Sequence, residues 1–507
     1  MTTENLYDVI VIGGGINGCG IANDAAGRGL HVLLCEQGDL ACSTSSNSSK
    51  LIHGGLRYLE HYEFKMVKDA LAEREVLINN AHHIIWPLRF ILPHRPHLRP
   101  RWMIQAGLFL YDYLSKRNTL KKSCGVSFDS NSPLVDDMKK GFEYSDGWVD
   151  DARLVVLNAV SARQHGASIR TQNRCVKAIR EKDHWVVDLL DTQTQAVASV
   201  KCKMLVNAAG PWVADLFAHI IHAKAPQNVR LIKGSHIVVP KLHDQPQAYI
   251  LQNEDQRIVF VIPYEDDFSL IGTTDIEVKQ DPAEVSISDA EIDYLIDITN
   301  KHFKHKITRN DIVHTYSGVR PLLDDESASA QAITRDYTLE IDTTENKAPL
   351  LSVFGGKITT YRKLAEAATD KISNFFKHMK PAWTKTTALP GGDFSSKAQL
   401  TSLLQKQHPW LEHTLVTRYV RSYGTLCYQF LSTCTDVNDM GVHFGAGLYE
   451  CEVRYLIDQE WALSVEDILW RRTKLGLRLN TTEQEKLAQF IAAQQPALAV
   501  TQTYKKA

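Results

Sequence analysis

The sequence has no stretch approaching the roughly 18 consecutive apolar residues of a membrane-spanning helix. Its longest apolar passages, such as Trp102 to Leu114, are shorter and interrupted, so a spanning helix is not expected. It carries no excess charge: 57 Lys and Arg stand against 59 Asp and Glu, a formal net charge of −2, which offers no support for nucleic-acid binding. Its nine cysteines, an odd number, include no C-x-x-C pair and no metal-ligand spacing. They read as reduced thiols in a cytosolic-facing compartment, with no metal site expected. Neither a basic n-region nor an apolar h-region precedes Tyr7 to Ile12, so an export leader is not expected. Internal repeats and low-complexity tracts are also missing. What remains is an ordinary globular composition, 44% hydrophobic and 23% charged over 507 residues, enough for about two to four domains with sizeable cores.

The first chemical signal comes at the start. Asp8-Val-Ile-Val-Ile12 is a short apolar run rich in β-branched residues, the pattern of a strand buried on both faces of a parallel sheet. Gly13-Gly-Gly15-Ile-Asn-Gly18 follows in G-x-G-x-x-G spacing, helix-compatible residues continue to Gly29, and a second strand, His31 to Cys35, ends in Glu36. In such a unit Gly13 permits the tight turn, Gly15 lets backbone approach a pyrophosphate, and Gly18 lets helix pack on strand. The phosphate then lies at a helix N-terminus, where unpaired N–H groups favour negative charge. Glu36 is placed to accept hydrogen bonds from a ribose, and its charge disfavours the extra phosphate of NADP, leaving FAD or NAD. Strand, glycines, helix, strand and acid arrive in order, which makes a plain glycine-rich turn the weaker reading.

Further segments lengthen the expected cofactor. The hydroxyl-rich stretch Gly38 to Lys50, with Ser45, Ser49 and Lys50, offers donors for phosphate and ribitol oxygens, although a solvated linker has the same composition. Leu51-Ile-His53-Gly54-Gly55-Leu-Arg57-Tyr58 adds a double glycine flanked by a histidine and an arginine. Downstream, Lys203 to Trp212 reads as a strand breaking at Gly210, and Leu351 to Ala365 as a strand, the pair Gly355-Gly356, and a helix whose N-terminus carries Lys357 and Thr359. Two nucleotide-facing turns imply a long cofactor.

On these residues the chain resembles the FAD-dependent glycerol-3-phosphate dehydrogenases of the aerobic respiratory type, within the wider glycine/D-amino-acid oxidase-like flavoprotein group. The matching stretches are GGGINGCGIANDAAGRGL at 13–30, SSKLIHGGLRYLEHYEF at 48–64, EYSDGWVDDARLV at 143–155, LVNAAGPWV at 205–213, RLIKGSHIVVP at 230–240, IVFVIPY at 258–264, IGTTD at 271–275, YSGVRPLLDDE at 316–326 and FGGKITTYRKLAE at 354–366. WALSVEDILWRRTKLG at 461–476 extends the likeness into the C-terminal region. Cys19 departs from the alanine common in such turns, a change between two small residues. The resemblance implies non-covalent FAD, oxidation of sn-glycerol 3-phosphate to dihydroxyacetone phosphate, and electron delivery to a membrane quinone. It also implies that Arg57, Arg320 and Lys357 hold the substrate.

Cations suit that task because the substrate carries a phosphate dianion, and the planar fork of arginine suits it best. A base must take the hydroxyl proton, and His53 is the leading candidate with His236 as its rival; the sequence leaves both open. Tyr58 and Thr359 are expected to add polar contacts.

Against the near-zero total, Arg89 to Lys122 concentrates eight cations against the single acid Asp112, a local charge of +7 around Trp102, Met103, Ile104, Leu108, Phe109, Leu110, Tyr111 and Leu114. Two readings fit: a helix lying in an anionic membrane interface, or an amphipathic helix packed in the core behind a charged rim. The need for a quinone favours the first. Nucleic acid is not an expected partner, because no reading motif accompanies the basic run. Beyond about residue 385 strand signals fade, helical patterns dominate, and Ser464-Val-Glu-Asp467 has the form of a capping box.

The expected fold is α/β. A Rossmann-like FAD-binding domain is assembled from 1–85, 145–225 and 310–385; 86–144 and 226–309 form an interleaved β-rich substrate domain; 386–507 form a helical cap. A homodimer at the cytoplasmic face of the inner membrane, held peripherally, is the expected setting. The competing functions are a glycerol-phosphate oxidase that uses oxygen, an amine or amino-acid oxidase, and a non-enzymatic FAD-binding scaffold.

Overall fold

The strand Leu6–Ile12 is apolar throughout its core because both of its edges and both of its faces are covered. It pairs in parallel with Val32–Cys35 on one side and Val197–Asn207 on the other. Alternate residues separate onto the two faces: Val9 and Val11 join one apolar cluster, Ile10 and Ile12 another. This computed structural model describes residues 6–95, 100–255, 257–324, 336–343 and 347–504; the side chains of Arg57, Glu60, His61 and 495–504, like all of Arg99, lie outside that description.

Ser168–Arg170 and Leu350–Gly355 extend the parallel array, and the antiparallel strands Tyr337–Asp342, Asn173–Arg180 and Trp185–Asp191 complete an eight-stranded sheet. The helices Ile16–Gly27, Asp151–Gln164 and Tyr361–Ser373 cover one of its faces. Asp150 caps the second of these, accepting a hydrogen bond from the Arg153 N–H at 3.2 Å.

A second sheet of ten strands stands beside the first. Its strands Val229–Pro240 and His314–Leu323 run antiparallel, with His236 opposite Tyr316 and Ile232 opposite Arg320. Leu51–Ile52 also belongs to this sheet, paired with Trp148 and Gly147. The sequence groups 1–85 and 310–385 with the dinucleotide-binding unit, whereas pairing gives Leu51–Ile52 and His314–Leu323 to the second sheet. Sheet membership is decided by long-range partners, and no local pattern names them.

The segment Arg89–Lys122 divides between two elements. Arg89 lies in the strand Ile85–Pro93 and pairs with Glu143 at 2.7 Å, and Arg117 pairs with Asp112 at 2.6 Å. The helix Arg101–Tyr113 buries only Leu108, Tyr111 and Asp112. Trp102 is 68%, Phe109 60% and Tyr113 58% exposed, so this helix turns much of its apolar surface outward rather than into the core. No helix among the described residues is long and apolar enough to cross a membrane.

In the C-terminal region the helices Lys397–Gln407, His413–Tyr423, Glu450–Glu460 and Thr481–Tyr504 predominate, with one small ladder of His443–Gly445 against Leu448–Tyr449. Val416, Tyr419, Leu456 and Leu469 join the same apolar cluster as the helices of the first sheet. The capping box forms: Asp467 accepts the Ser464 N–H at 2.9 Å and Ser464 Oγ accepts the Asp467 N–H at 3.1 Å, ahead of a wide π-helical turn, Asp467–Arg472. All nine cysteines are free thiols.

Candidate active site

One cavity of about 590 Å³ runs from the first glycine turn to the second sheet. At its near end Gly13 takes a φ of +113°, accessible to glycine without strain. A methyl group at Gly18 would collide with the Gly13 carbonyl oxygen, so the close contact of turn and helix depends on both glycines. The Ile16 N–H in the first helical turn donates to Ser45 Oγ at 3.0 Å, which ties the hydroxyl-rich loop to the helix N-terminus. Glu36 accepts from the N–H groups of Gly14 at 2.6 Å and Gly38 at 2.9 Å. Burial nevertheless raises its carboxyl above the usual range, the N–H groups pulling in the opposite direction.

The residues fit an FAD. A helix N-terminus faces the cavity beside the Glu36 carboxylate, and Gly210, Gly355 and Gly356 form further turns on the same wall. Asn17 donates to the Gly355 carbonyl at 3.2 Å, while its own buried Oδ1 has no hydrogen-bond partner among the described residues. An acceptor left unmatched in the wall asks for a donor from a bound group.

The far end is built from charged side chains. Arg320 is ion-paired with Asp275 and donates to Thr273 Oγ1 at 3.0 Å and to the Thr274 carbonyl at 3.3 Å. Behind them Glu291 accepts from Lys233 at 2.7 Å, Ser235 at 2.8 Å and Thr274 at 2.7 Å, bonds that overcome burial and hold its carboxyl at about 2. Lys357 lies 2.9 Å from Met66 Sδ and 4.6 Å from the centre of the Tyr58 ring. The His53 N–H donates to Thr359 Oγ1 at 3.3 Å, and the half-buried imidazole lines the cavity. His236 Nε2 meets Ser49 Oγ at 2.9 Å, and its ring stacks on Tyr316 at 4.7 Å. Burial, reinforced by Arg320 and Lys50, pushes this histidine well below its usual range.

The cavity wall thus includes Gly13, Gly15, Glu36, Ser45, Ser49, His53, Gly210, His236, Arg320, Gly355, Gly356, Lys357 and Thr359. Gly18 is buried in the first helix, in the close-packing position the motif gives it, and two residues of the flanking segments stand behind the wall. Lys50 is buried, and its ammonium is engaged by Asp151 and the Ser46 carbonyl at 2.8 and 2.9 Å. Gly54 is buried and donates to Tyr111 Oη at 2.8 Å, part of a cluster in which Tyr111 and Arg74 both bind Asp146. Arg57 lies on the turn Leu56–His61, with its side chain outside the described residues. Sequence reasoning missed Asp275 as the partner of Arg320, although the IGTTD stretch carries it. It also missed Asn17, whose place inside the glycine motif was the available signal.

Fold and cavity together define a flavin-dependent oxidoreductase. A family model described as FAD dependent oxidoreductase matches residues 8–362, and one described as the C-terminal domain of alpha-glycerophosphate oxidase matches residues 382–504. The aerobic glycerol-3-phosphate dehydrogenase of Escherichia coli K12 is 56% identical over 485 residues, covering 96% of this chain and 97% of its own. The D-erythritol 1-phosphate dehydrogenase of Brucella abortus is 49% identical over 493 residues, covering 96% and 98%. The structure of a glycerol-3-phosphate dehydrogenase from Bacillus halodurans complexed with FAD aligns with a TM-score of 0.76 at 25% identity, covering 97% of this chain and 91% of that one. The chain belongs to the family of FAD-dependent glycerol-3-phosphate dehydrogenases.

Proposed function

We propose that this protein oxidises sn-glycerol 3-phosphate to dihydroxyacetone phosphate and passes the electrons through FAD to a membrane quinone. The observation that carries this reading is the meeting of Arg320 and Lys357 with the second glycine turn in one cavity: cations for a phosphate stand beside the seat of a redox group. Bound FAD supplies the hydride acceptor. Arg320, oriented by Asp275 and Thr273, presents its remaining donors to phosphate oxygens, and Lys357 adds a point charge. Arg57 is proposed as a third anchor.

His53 takes the hydroxyl proton. It lines the cavity half-buried, whereas His236 lies where burial and two nearby cations oppose a second proton. A base must hold the proton it receives, and His236 is poorly placed to do so. His236 instead fixes Ser49 on the cofactor loop.

The outward apolar side chains of Arg101–Tyr113, with Arg101, Lys116, Lys121 and Lys122 exposed nearby, support docking of this helix in an anionic membrane interface. A peripheral homodimer on the cytoplasmic face of the inner membrane completes the reading. It divides the chain into an FAD-binding unit, a substrate unit and a helical cap.

The test is anaerobic addition of sn-glycerol 3-phosphate to the yellow holoenzyme, followed by either a quinone or oxygen. Bleaching by the substrate and recolouring by quinone are expected. Recolouring by oxygen alone would make the protein an oxidase. Preferential bleaching by D-erythritol 1-phosphate, one carbon longer, would overturn the substrate assignment.

A further inference from the structure

The C-terminal segment Trp470–Lys474 has no place in the chemistry above, yet each of four side chains in it reaches an element that builds the cavity. Arg471 and Arg472 bind Asp39 at 2.6 and 2.7 Å. Asp39 lies at the start of the hydroxyl-rich stretch, three residues after Glu36. Lys474 is ion-paired with Asp150, whose neighbour Asp151 holds Lys50 at 2.8 Å and Ser48 Oγ at 2.7 Å at the other end of that loop. Trp470 stacks on His314 with ring centres 3.8 Å apart. His314 begins the strand whose Tyr316 hydroxyl donates to the Ser48 carbonyl at 2.8 Å and whose Val319 carbonyl accepts from Thr44 Oγ1 at 2.6 Å.

The segment thus touches the approach to the loop carrying Ser45 and Ser49 directly at Asp39, and reaches the loop's far end through Asp150 and its neighbour Asp151 and its back through the strand begun by His314. Asp39, Arg472 and Lys474 are buried. Buried ion pairs are poor stabilisers, because desolvation offsets most of their attraction, and apolar replacements of both partners are often tolerated. Directional charge pairs fix geometry instead, and wide helical turns such as Asp467–Arg472 recur where function requires an irregular backbone. The surrounding apolar cluster already joins the C-terminal helices to the first sheet without them.

We propose that Trp470, Arg471, Arg472 and Lys474 are positioning residues: the C-terminal domain holds the flavin-facing loop 43–50, and through Ser49 the His236 ring, in the geometry that hydride transfer requires. This rests on the FAD-dependent alcohol oxidation proposed above. Misplacement of reacting groups by about 1 Å is enough to slow such a step on the order of a hundredfold, so loosening the loop is expected to lower the rate far more than substrate binding.

The test uses holoenzyme with Lys474→Met and Asp150→Asn combined, which removes both buried charges while Asn retains the capping oxygen of position 150. Three quantities are read: the melting temperature, FAD released on dilution as flavin fluorescence, and the rate of flavin bleaching by sn-glycerol 3-phosphate without oxygen. The expected result is near-normal melting, about tenfold faster FAD release and about tenfold slower bleaching, with the half-saturating substrate concentration within about twofold of wild type. Wild-type release and bleaching in a folded variant would overturn the proposal, as would lower melting with an unchanged bleaching rate. If the double variant does not fold, Trp470→Leu, which removes no charge, is measured in the same three ways, and the same results support or overturn the proposal. Absence of bleaching in the wild type would refute the substrate reading instead, and FAD release would still decide the positioning role.

Discussion

The cofactor loop is held from two sides by opposite chemistry. The glycine turn at Gly13–Gly18 meets it through neutral backbone groups: Ala41 N–H donates to the Gly14 carbonyl at 3.0 Å, and the Ile16 N–H reaches Ser45. The C-terminal segment approaches it through charges whose partners lie more than 300 residues away in the chain, as the buried pair Arg472 and Asp39 do. A backbone-built site needs room and permissive φ, properties of glycine itself, and so is written in a short motif. A charge-built site needs only that opposite charges arrive together, and nothing in the local sequence marks it.

That contrast predicts effects of different size. The largest is expected on the backbone side: Gly18→Val drives side-chain atoms into the Gly13 carbonyl, and the purified protein should lack flavin absorbance. A yellow Gly18→Val protein would show that the turn yields more easily than its geometry implies.

At the charged end, Arg320→Lys keeps the charge and loses the fork. Losing a charged hydrogen bond costs about 1.5–3 kcal/mol, a roughly tenfold to hundredfold fall in kcat/KM with the flavin spectrum intact. Unchanged steady-state kinetics would remove Arg320 from the substrate site.

A smaller effect is expected on the outer surface. Half-burying Phe109 in a lipid interface is worth about 1 kcal/mol, so Phe109→Ser should weaken binding to anionic vesicles about fivefold in a sedimentation assay. Equal partitioning of the two proteins would argue that this face meets something other than lipid.

The smallest effect is one that acid abolishes. Glu291 has its carboxyl lowered from about 4.5 to about 2, chiefly because its hydrogen-bond donors outweigh burial. Its contribution to stability is fully present above about 4.5, its ordinary value, and is lost as pH falls through about 2. Urea midpoints of wild type and Glu291→Gln should therefore differ most at neutral pH and converge as the pH drops towards 2. A gap that stays constant over that range would mean the carboxylate is not held by these donors.

Much of the site was legible in the sequence. Gly13, Gly15, Glu36 and the Gly355-Gly356 pair, singled out by local pattern, line the cavity, as do Arg320 and Lys357, singled out by the family resemblance. Lys50 and Gly54 read as equally good candidates and stand behind the cavity wall. A lysine beside serines in sequence gives no sign that Asp151, a hundred residues on, will bury its ammonium. Asp275 was visible within a recognisable stretch, but its role depends on Arg320 reaching it from the strand on the far side of Val229–Pro240. The helix Arg101–Tyr113 had the composition of either a core helix or a surface helix, and only packing chose which face turned outward.

The sequence alone determined the features that depend on near neighbours: the β-α-β unit, the nucleotide turn, the acid that follows it, the capping box at Ser464 and the family. Tertiary structure decided which strands share a sheet, which cations face the cavity, which histidine burial holds below its usual range, and that Arg471 and Arg472 meet Asp39. The physical reason is range. Backbone conformation and hydrophobic periodicity are set within a few residues, whereas charge pairing and desolvation depend on groups that meet only when distant parts of the chain fold together.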